Sequence, residues 1–298
     1  MVKLCAHIEG LGLLGPGLDG WTHSSAVLEG RSLYVRQPTN VPIPDGLPPA
    51  ERRRLGVVVK LALNVGLEAI SKAGVEPDAL PAVFASSGGD GQNCHEICQG
   101  LANDERLISP TRFHNSVHNA AAGYWSIATR SRAASNALCA FDWSFGAGLL
   151  EAMTQVVVDQ TRVLLVAYDA PYPQPLFAKR PIPEAFGVAF VLAPLRGDAS
   201  SASPAGTLVG ALRSGAAAES HGSATAVGSA GTLGRLTLEL SDSPPDRMGN
   251  ADLEALRASI PAARALPLLQ QLAKRKAGVV NIEYLDGRSL AVEVVPCS

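Results

Sequence analysis

The sequence predicts an α/β fold in which a mostly parallel sheet is covered by helices. Two observations carry that prediction. Short apolar runs at 82–85, 161–168 and 185–193 alternate with longer stretches of helical periodicity. Of the 298 residues, 47% are apolar and 17% charged, enough apolar material for a large core and too much for a disordered chain.

Taken in order, an apolar, glycine-rich start from Met1 to Leu14 reads as a strand and turn. The prolines between Gln37 and Pro49 forbid regular structure there, so that stretch is a surface loop. From Leu55 to Ala73 the apolar residues Leu55, Val58, Val59, Leu61, Ala62, Val65 and Ala69 share one helical face, and Gly74 ends the helix. Ala82-Val83-Phe84-Ala85 is a strand that runs into Ser86-Ser87-Gly88-Gly89-Asp90-Gly91, a glycine-dependent turn, and a helix starts near Asn93. Another helix spans about Ser116 to Thr129.

A strand from Ser135 to Phe141 then passes without a linker into a helix from Asp142 to Val158. Thr161–Tyr168 and Ala185–Ala193 are buried strands. Residues 198–232 are dominated by Ala, Gly and Ser, with one strand expected around Thr207 to Leu212. Arg235–Leu240, a helix from about Asn250 to Lys276, and a hairpin from Gly278 to Val295 turning at Asp286-Gly287 close the chain.

Charge and cysteine usage narrow the function. Lys and Arg total 25 against 27 Asp and Glu, and no basic stripe interleaved with aromatics occurs, so neither nucleic acid nor a membrane surface is an expected partner. No twenty-residue apolar run and no N-terminal apolar segment with a cleavage site are present, so a cytoplasmic location is expected. The cysteines at 5, 94, 98, 139 and 297 are odd in number and scattered, which makes free thiols the expectation. So low a charged fraction also argues that a partner covers apolar surface.

The strand-to-helix junction is the most informative feature, because backbone N–H groups and the helix dipole favour negative charge there and many α/β enzymes expose a nucleophile at such a point. Around it runs Ser109-Pro110-Thr111-Arg112-Phe113, then Ser116, Asn119-Ala120-Ala121-Ala122-Gly123, Ser126-Ile127 and Arg132-Ala133-Ala134-Ser135. Glu151-Ala152 follows in the helix, and Lys179-Arg180-Pro181-Ile182-Pro183 precedes Phe186-Gly187-Val188-Ala189-Phe190-Val191-Leu192. This pattern resembles the N-terminal half of the β-ketoacyl synthases, decarboxylating condensing enzymes of the thiolase fold. The overall pattern looks most like the short ketosynthase-like subunits, akin to chain length factors, of aryl polyene and xanthomonadin-type pigment synthesis.

The resemblance implies a layered α/β/α sandwich with a truncated second half: a synthase-like domain over 1–195 and a shortened part over 196–298. It further implies pairing with a full-length catalytic ketosynthase, or with a second copy of the chain, and an acyl carrier protein as partner. Ser116, His118, Asn119 and Gly123 would line an interface or an acyl tunnel. Counting along the motif puts Asp142 where the family carries its cysteine. Neither of the family's two histidine motifs is matched; His221-Gly222-Ser223-Ala224-Thr225 stands too close after the first half to be equivalent.

Condensation needs a nucleophile whose acyl derivative is reactive yet persistent, which a thioester is and a mixed anhydride is not. Asp142 is therefore expected not to carry acyl chains and to serve as a helix N-cap, worth about 1 kcal/mol over Ala. Cys139 is the alternative nucleophile, with His118 or His221 as base, but its place in an apolar run predicts a buried, inert thiol. Phe141, Trp143 and Phe145 would either shape an acyl tunnel or fill the core.

The remaining clusters have plainer readings. Cys94, His95, Cys98, His114 and His118 could hold a metal on a scaffold, yet no pair of Cys-x-x-Cys elements completes such a site, so no metal is assigned. The Ser86–Gly91 turn lacks the Walker lysine and the dinucleotide fingerprint, and no cofactor is expected. Arg52-Arg53-Arg54 reads as a solvated helix start before it reads as a carrier-protein contact.

Overall fold

The computed structural model describes residues 3–195 and 231–297. The strand expected near 207–212 and the His221 segment lie outside the described residues. The chain opens with β1 (Leu4–Gly15), β2 (Leu18–Asp19) and α1 (Gly20–Glu29), then an extended segment to α2 (Pro49–Arg52) and α3 (Val57–Ala73). β3 (Ala82–Ala85), α4 (Gly91–Ala102), α5 (Pro110–His114), α6 (Ala120–Thr129) and β4 (Ser135–Leu138) follow. A 3-10 turn at Phe141–Trp143 leads into α7 (Ser144–Asp159), then β5 (Val163–Asp169), α8 (Leu176–Lys179) and β6 (Phe186–Ala193). After the undescribed stretch come β7 (Gly234–Ser241), α9 (Ala251–Ser259), a 3-10 segment at Pro261–Ala265, α10 (Leu266–Ala273), β8 (Gly278–Leu285) and β9 (Arg288–Pro296).

The nine strands of the described residues form one sheet in the order β4-β3-β5-β6-β1-β7-β9-β8, with β2 on β1. Among the described residues only β3–β4 and β3–β5 are parallel, and every other pairing is antiparallel. The expected mostly parallel sheet is thus corrected. Parallel neighbours need a crossover, which α4 to α6 and α7 supply around β3, β4 and β5. Between β5 and β6 there is only a loop carrying the one-turn α8, and a fully apolar strand looks the same in sequence whichever way its neighbours run.

Side-chain alternation divides the core. Ala82 and Phe84 of β3 join Leu164, Val166 and Val191 under α3 and α6, while Val83, Ala85, Leu165 and Phe190 pack under α7, α10 and the 261–265 turn. Both faces are therefore dry, giving three layers of helix, sheet and helix. The glycines of β1 explain how close the layers come. A Cβ on Gly10 would stand 2.1 Å from the Ala69 carbonyl oxygen, and one on Gly12 2.0 Å from that of Val65, so α3 rests on the bare backbone of β1.

β7, β9 and β8 extend the sheet past β1. The single helix expected over 250–276 is broken, because Ile260 is extended (φ −121°, ψ 116°) ahead of Pro261, as the residue before a proline prefers. The two ends of the sheet differ. At β8, Asp246 donates its N–H to Asn281 O at 2.9 Å and accepts the Asn281 N–H at Oδ2 at 2.8 Å, so a loop covers that edge. Beyond β4 no strand follows among the described residues, and Ser135, Asn136 and Ala137 are exposed.

Candidate functional site

The candidate site is the junction after β4. Cys139 and Ala140 leave the strand, and Phe141 turns the chain with φ +52°, a left-handed conformation unusual for a bulky residue. Ser144 clamps this turn: its Oγ accepts the Ala140 N–H at 3.0 Å and donates to Phe141 O at 2.7 Å. The strained backbone of a nucleophile elbow thus falls on Phe141, one residue before the Asp142 reached by counting along the motif.

Asp142 does not cap the helix, which corrects the expectation. The residue preceding α7 is Trp143, which makes no side-chain capping bond, and the Asp142 carboxylate is engaged elsewhere. Instead Asp142 Oδ1 accepts Arg180 Nη2 at 2.7 Å, and Oδ2 lies 3.6 Å from Arg264 Nη2. The ladder continues: Arg264 pairs with Glu283, Glu283 accepts Arg257 Nη1 at 3.2 Å, and Arg257 donates twice to Glu254 at 2.8 Å. Burial pushes the Arg264 guanidinium down from its ordinary value, with Asp142 acting in the opposite sense. Six alternating charges thereby join the junction to α9, the 261–265 turn and β8.

Cys139 is exposed, not buried as its apolar run suggested, because β4 is an edge strand. Its Sγ donates to Ser87 O at 3.1 Å. His118 Nε2 lies 3.2 Å from Ser86 O, and no Cys139–His118 hydrogen bond is present among the described residues. Ser116 is exposed and donates to Phe113 O at 2.8 Å. Asn119 precedes α6 without a side-chain cap, and Gly123 faces open space. Phe145 is fully buried against Phe190, ring centroids 6.2 Å apart, so its ring is core. Trp143 is half-buried and lines, with Asp142 and Arg264, a cleft of about 520 Å³ roofed by the β8–β9 hairpin.

The Ser86–Gly91 turn is closed by a side chain that the sequence reading passed over. A Cβ on Gly88 would meet the Tyr172 hydroxyl at 1.9 Å, and one on Gly91 the Tyr172 ring at 1.9 Å. Those glycines exist to seat Tyr172, whose hydroxyl is within hydrogen-bonding reach of Ser87 and Arg180. Beside it, fully buried Asp169 accepts Ser87 N–H at 2.9 Å, Ser87 Oγ at 2.6 Å and Ala262 N–H at 2.9 Å. Burial pushes the Asp169 carboxyl up to about 6, against the pull of Ser87, Ala262 and Arg180.

Asp169, Tyr172, Arg264 and Glu283 carried no motif. Arg180 was legible only as part of the Lys179–Pro183 segment. Among the described residues no three His, Cys, Asp or Glu side chains gather as a metal site, so Cys94 and Cys98, which lie together on α4, are not joined by His114 and His118 into a ligand set. No helix of the described residues is long and apolar enough to cross a membrane.

Three layers on one mixed sheet, with a strained elbow at the end of a strand, define a thiolase-like condensing-enzyme scaffold. Residues 29–232 match the family described as beta-ketoacyl synthase, N-terminal domain, and the chain belongs to that family. No curated protein matches it. Among solved structures, the chain resembles a ketosynthase (ApeO) in complex with its chain length factor (ApeC) from Xenorhabdus doucetiae, at 20% identity and TM-score 0.66. That match covers 97% of this chain and 99% of the other. The ishigamide ketosynthase/chain length factor is similar at 11% identity and TM-score 0.66, over 99% of this chain and 100% of that one. The type II polyketide ketosynthase of the AntDE:AntF carrier-protein complex is similar at 10% identity and TM-score 0.68, over the same shares. At these identities the likeness establishes the thiolase-like fold.

Proposed function

We propose that this chain is a non-condensing ketosynthase-like subunit. It pairs with a full-length catalytic ketosynthase and helps define the space for a polyene or polyketide-type chain grown on an acyl carrier protein. The observation that carries this reading is the chemistry of the junction. Asp142 is committed to two guanidinium groups, Cys139 donates its proton to a carbonyl, and the strained position holds a phenylalanine. A condensing enzyme needs an activated nucleophile with a base in reach, and among the described residues neither candidate has one. The bare β4 edge and the exposed Phe113, Val117, Ile127 and Phe141 offer a partner strand pairing and apolar area. The partner is a catalytic ketosynthase or, in the homodimeric form, a second copy.

The test is co-expression with a catalytic ketosynthase and a carrier protein, read by co-purification and by the mass of the chain made. A joint complex that elongates, with a cysteine-directed synthase inhibitor mapped to the partner's cysteine, is expected. Stoichiometric acylation of Cys139, abolished by Cys139→Ala, would overturn the reading in favour of an independent acyltransferase.

A further inference from the structure

A bulky residue held at positive φ is strained, and such strain persists only where the surroundings over-determine it. At Phe141 two side chains do so. Ser144 closes the turn from the helix side through its bonds to Ala140 N–H and Phe141 O. Arg180 closes it from the other: its guanidinium carbon lies 3.8 Å from the Phe141 ring centroid, and its Nη2 donates to Asp142 at 2.7 Å. One guanidinium thus grips two consecutive residues of the turn. It is well placed to do so, being 20% exposed and flanked by Tyr172 and the buried Asp169. Phe141 itself remains 54% exposed, its ring projecting from the end of the uncovered strand.

We propose that Arg180 is the positioning residue of this elbow, fixing the Phe141 ring at one height so that it acts as a rigid stop for an extended acyl chain. The second half of that statement rests on the reading of the chain as a chain-shaping subunit; the first half does not. Arg180 touches no reacting atom. It acts through Phe141 and Asp142, and a flat guanidinium is required because it must stack and pair at once, which an ammonium cannot do equally well.

The experiment uses the full chain, alone and with a catalytic ketosynthase and carrier protein, in wild-type form and as Arg180→Gln, Arg180→Lys and Phe141→Leu. Amide hydrogen exchange is followed at residues 139–144, where the Ala140 and Trp143 N–H groups bond Ser144 Oγ and Ala140 O. Arg180→Gln is expected to speed exchange there on the order of tenfold, leaving β3 and β5 as in wild type, with Arg180→Lys between the two. Wild-type protection of the elbow in Arg180→Gln overturns the proposal, and so does a uniform loss that includes β3 and β5. In the elongating complex, Arg180→Gln and Phe141→Leu are expected to shift product length in the same direction. An unchanged product made by a complex with a loosened elbow overturns the stop. Failure to pair with any ketosynthase sinks the proposed function instead, while the exchange data still decide the role of Arg180.

Discussion

Asp169→Asn isolates the buried acid that joins three parts of the fold. The carboxyl accepts from Ser87 at the end of β3 and from Ala262 across the core, and burial raises it from 3.8 to about 6. An acid that holds its proton more tightly when folded favours the folded state at low pH. That contribution declines as pH rises from about 4 to about 6 and is flat above. At about 1.4 kcal/mol per pH unit the whole decline is roughly 3 kcal/mol, of which about 2 kcal/mol falls between pH 4.5 and 7. Asparagine cannot ionise, so its stability lacks this component. It can accept from Ser87 but turns an N–H toward Ala262, a mismatch that costs about 1–3 kcal/mol at every pH. Urea denaturation of both proteins, followed by tryptophan fluorescence from pH 4.5 to 7, should show the wild-type advantage shrinking by about 2 kcal/mol. An advantage that stays constant over this range, or that grows with pH, refutes the argument.

Three further outcomes follow from the packing and the ladder. Asp142→Ala removes the acid shared by two partly buried guanidinium groups, leaving Arg264 to Glu283 and Arg180 to neutral Tyr172, and should lower stability by about 1–3 kcal/mol in thermal denaturation, with Arg264→Met in the same background costing less than in wild type. Gly12→Ala drives a methyl into the Val65 carbonyl oxygen, 2.0 Å from where its Cβ would lie, and should cost about 1–3 kcal/mol or prevent soluble expression; exposed Gly123→Ala, with nothing within 4 Å, is the neutral control. Phe145→Ala removes a fully buried ring and should cost about 3–5 kcal/mol by urea titration.

Elements whose specification is local were legible in the sequence. The helix ending at Gly74 was, because its period and its left-handed stop lie in one stretch, and so were β3 and the hairpin at Asp286-Gly287. The passage from strand to helix was legible but not its bounds: the strand ends at Leu138 instead of Phe141, and a 3-10 turn at Phe141–Trp143 separates it from α7, which begins at Ser144 instead of Asp142. What escaped is what distance along the chain conceals. Asp142 meets Arg180 and Arg264 only after folding, and Tyr172 fills a glycine turn eighty residues upstream of it. Cys139 looked buried because an edge strand and a central one share the same apolar residues. Strand direction escaped for a similar reason, since it is set by the presence or absence of a crossover and not by the strand itself.

The charge ladder also bears on engineering. Asp142→Cys would place a thiol beside the elbow but remove the acid shared by Arg180 and Arg264, so any gain in nucleophilicity arrives with a loosened junction.

The two ends of the sheet are unequal. At β8 the backbone of Asn281 is already engaged by Asp246, whereas at β4 no described strand follows and the backbone margin stands open, so a protein that adds a strand to this sheet finds more unpaired backbone at the β4 end.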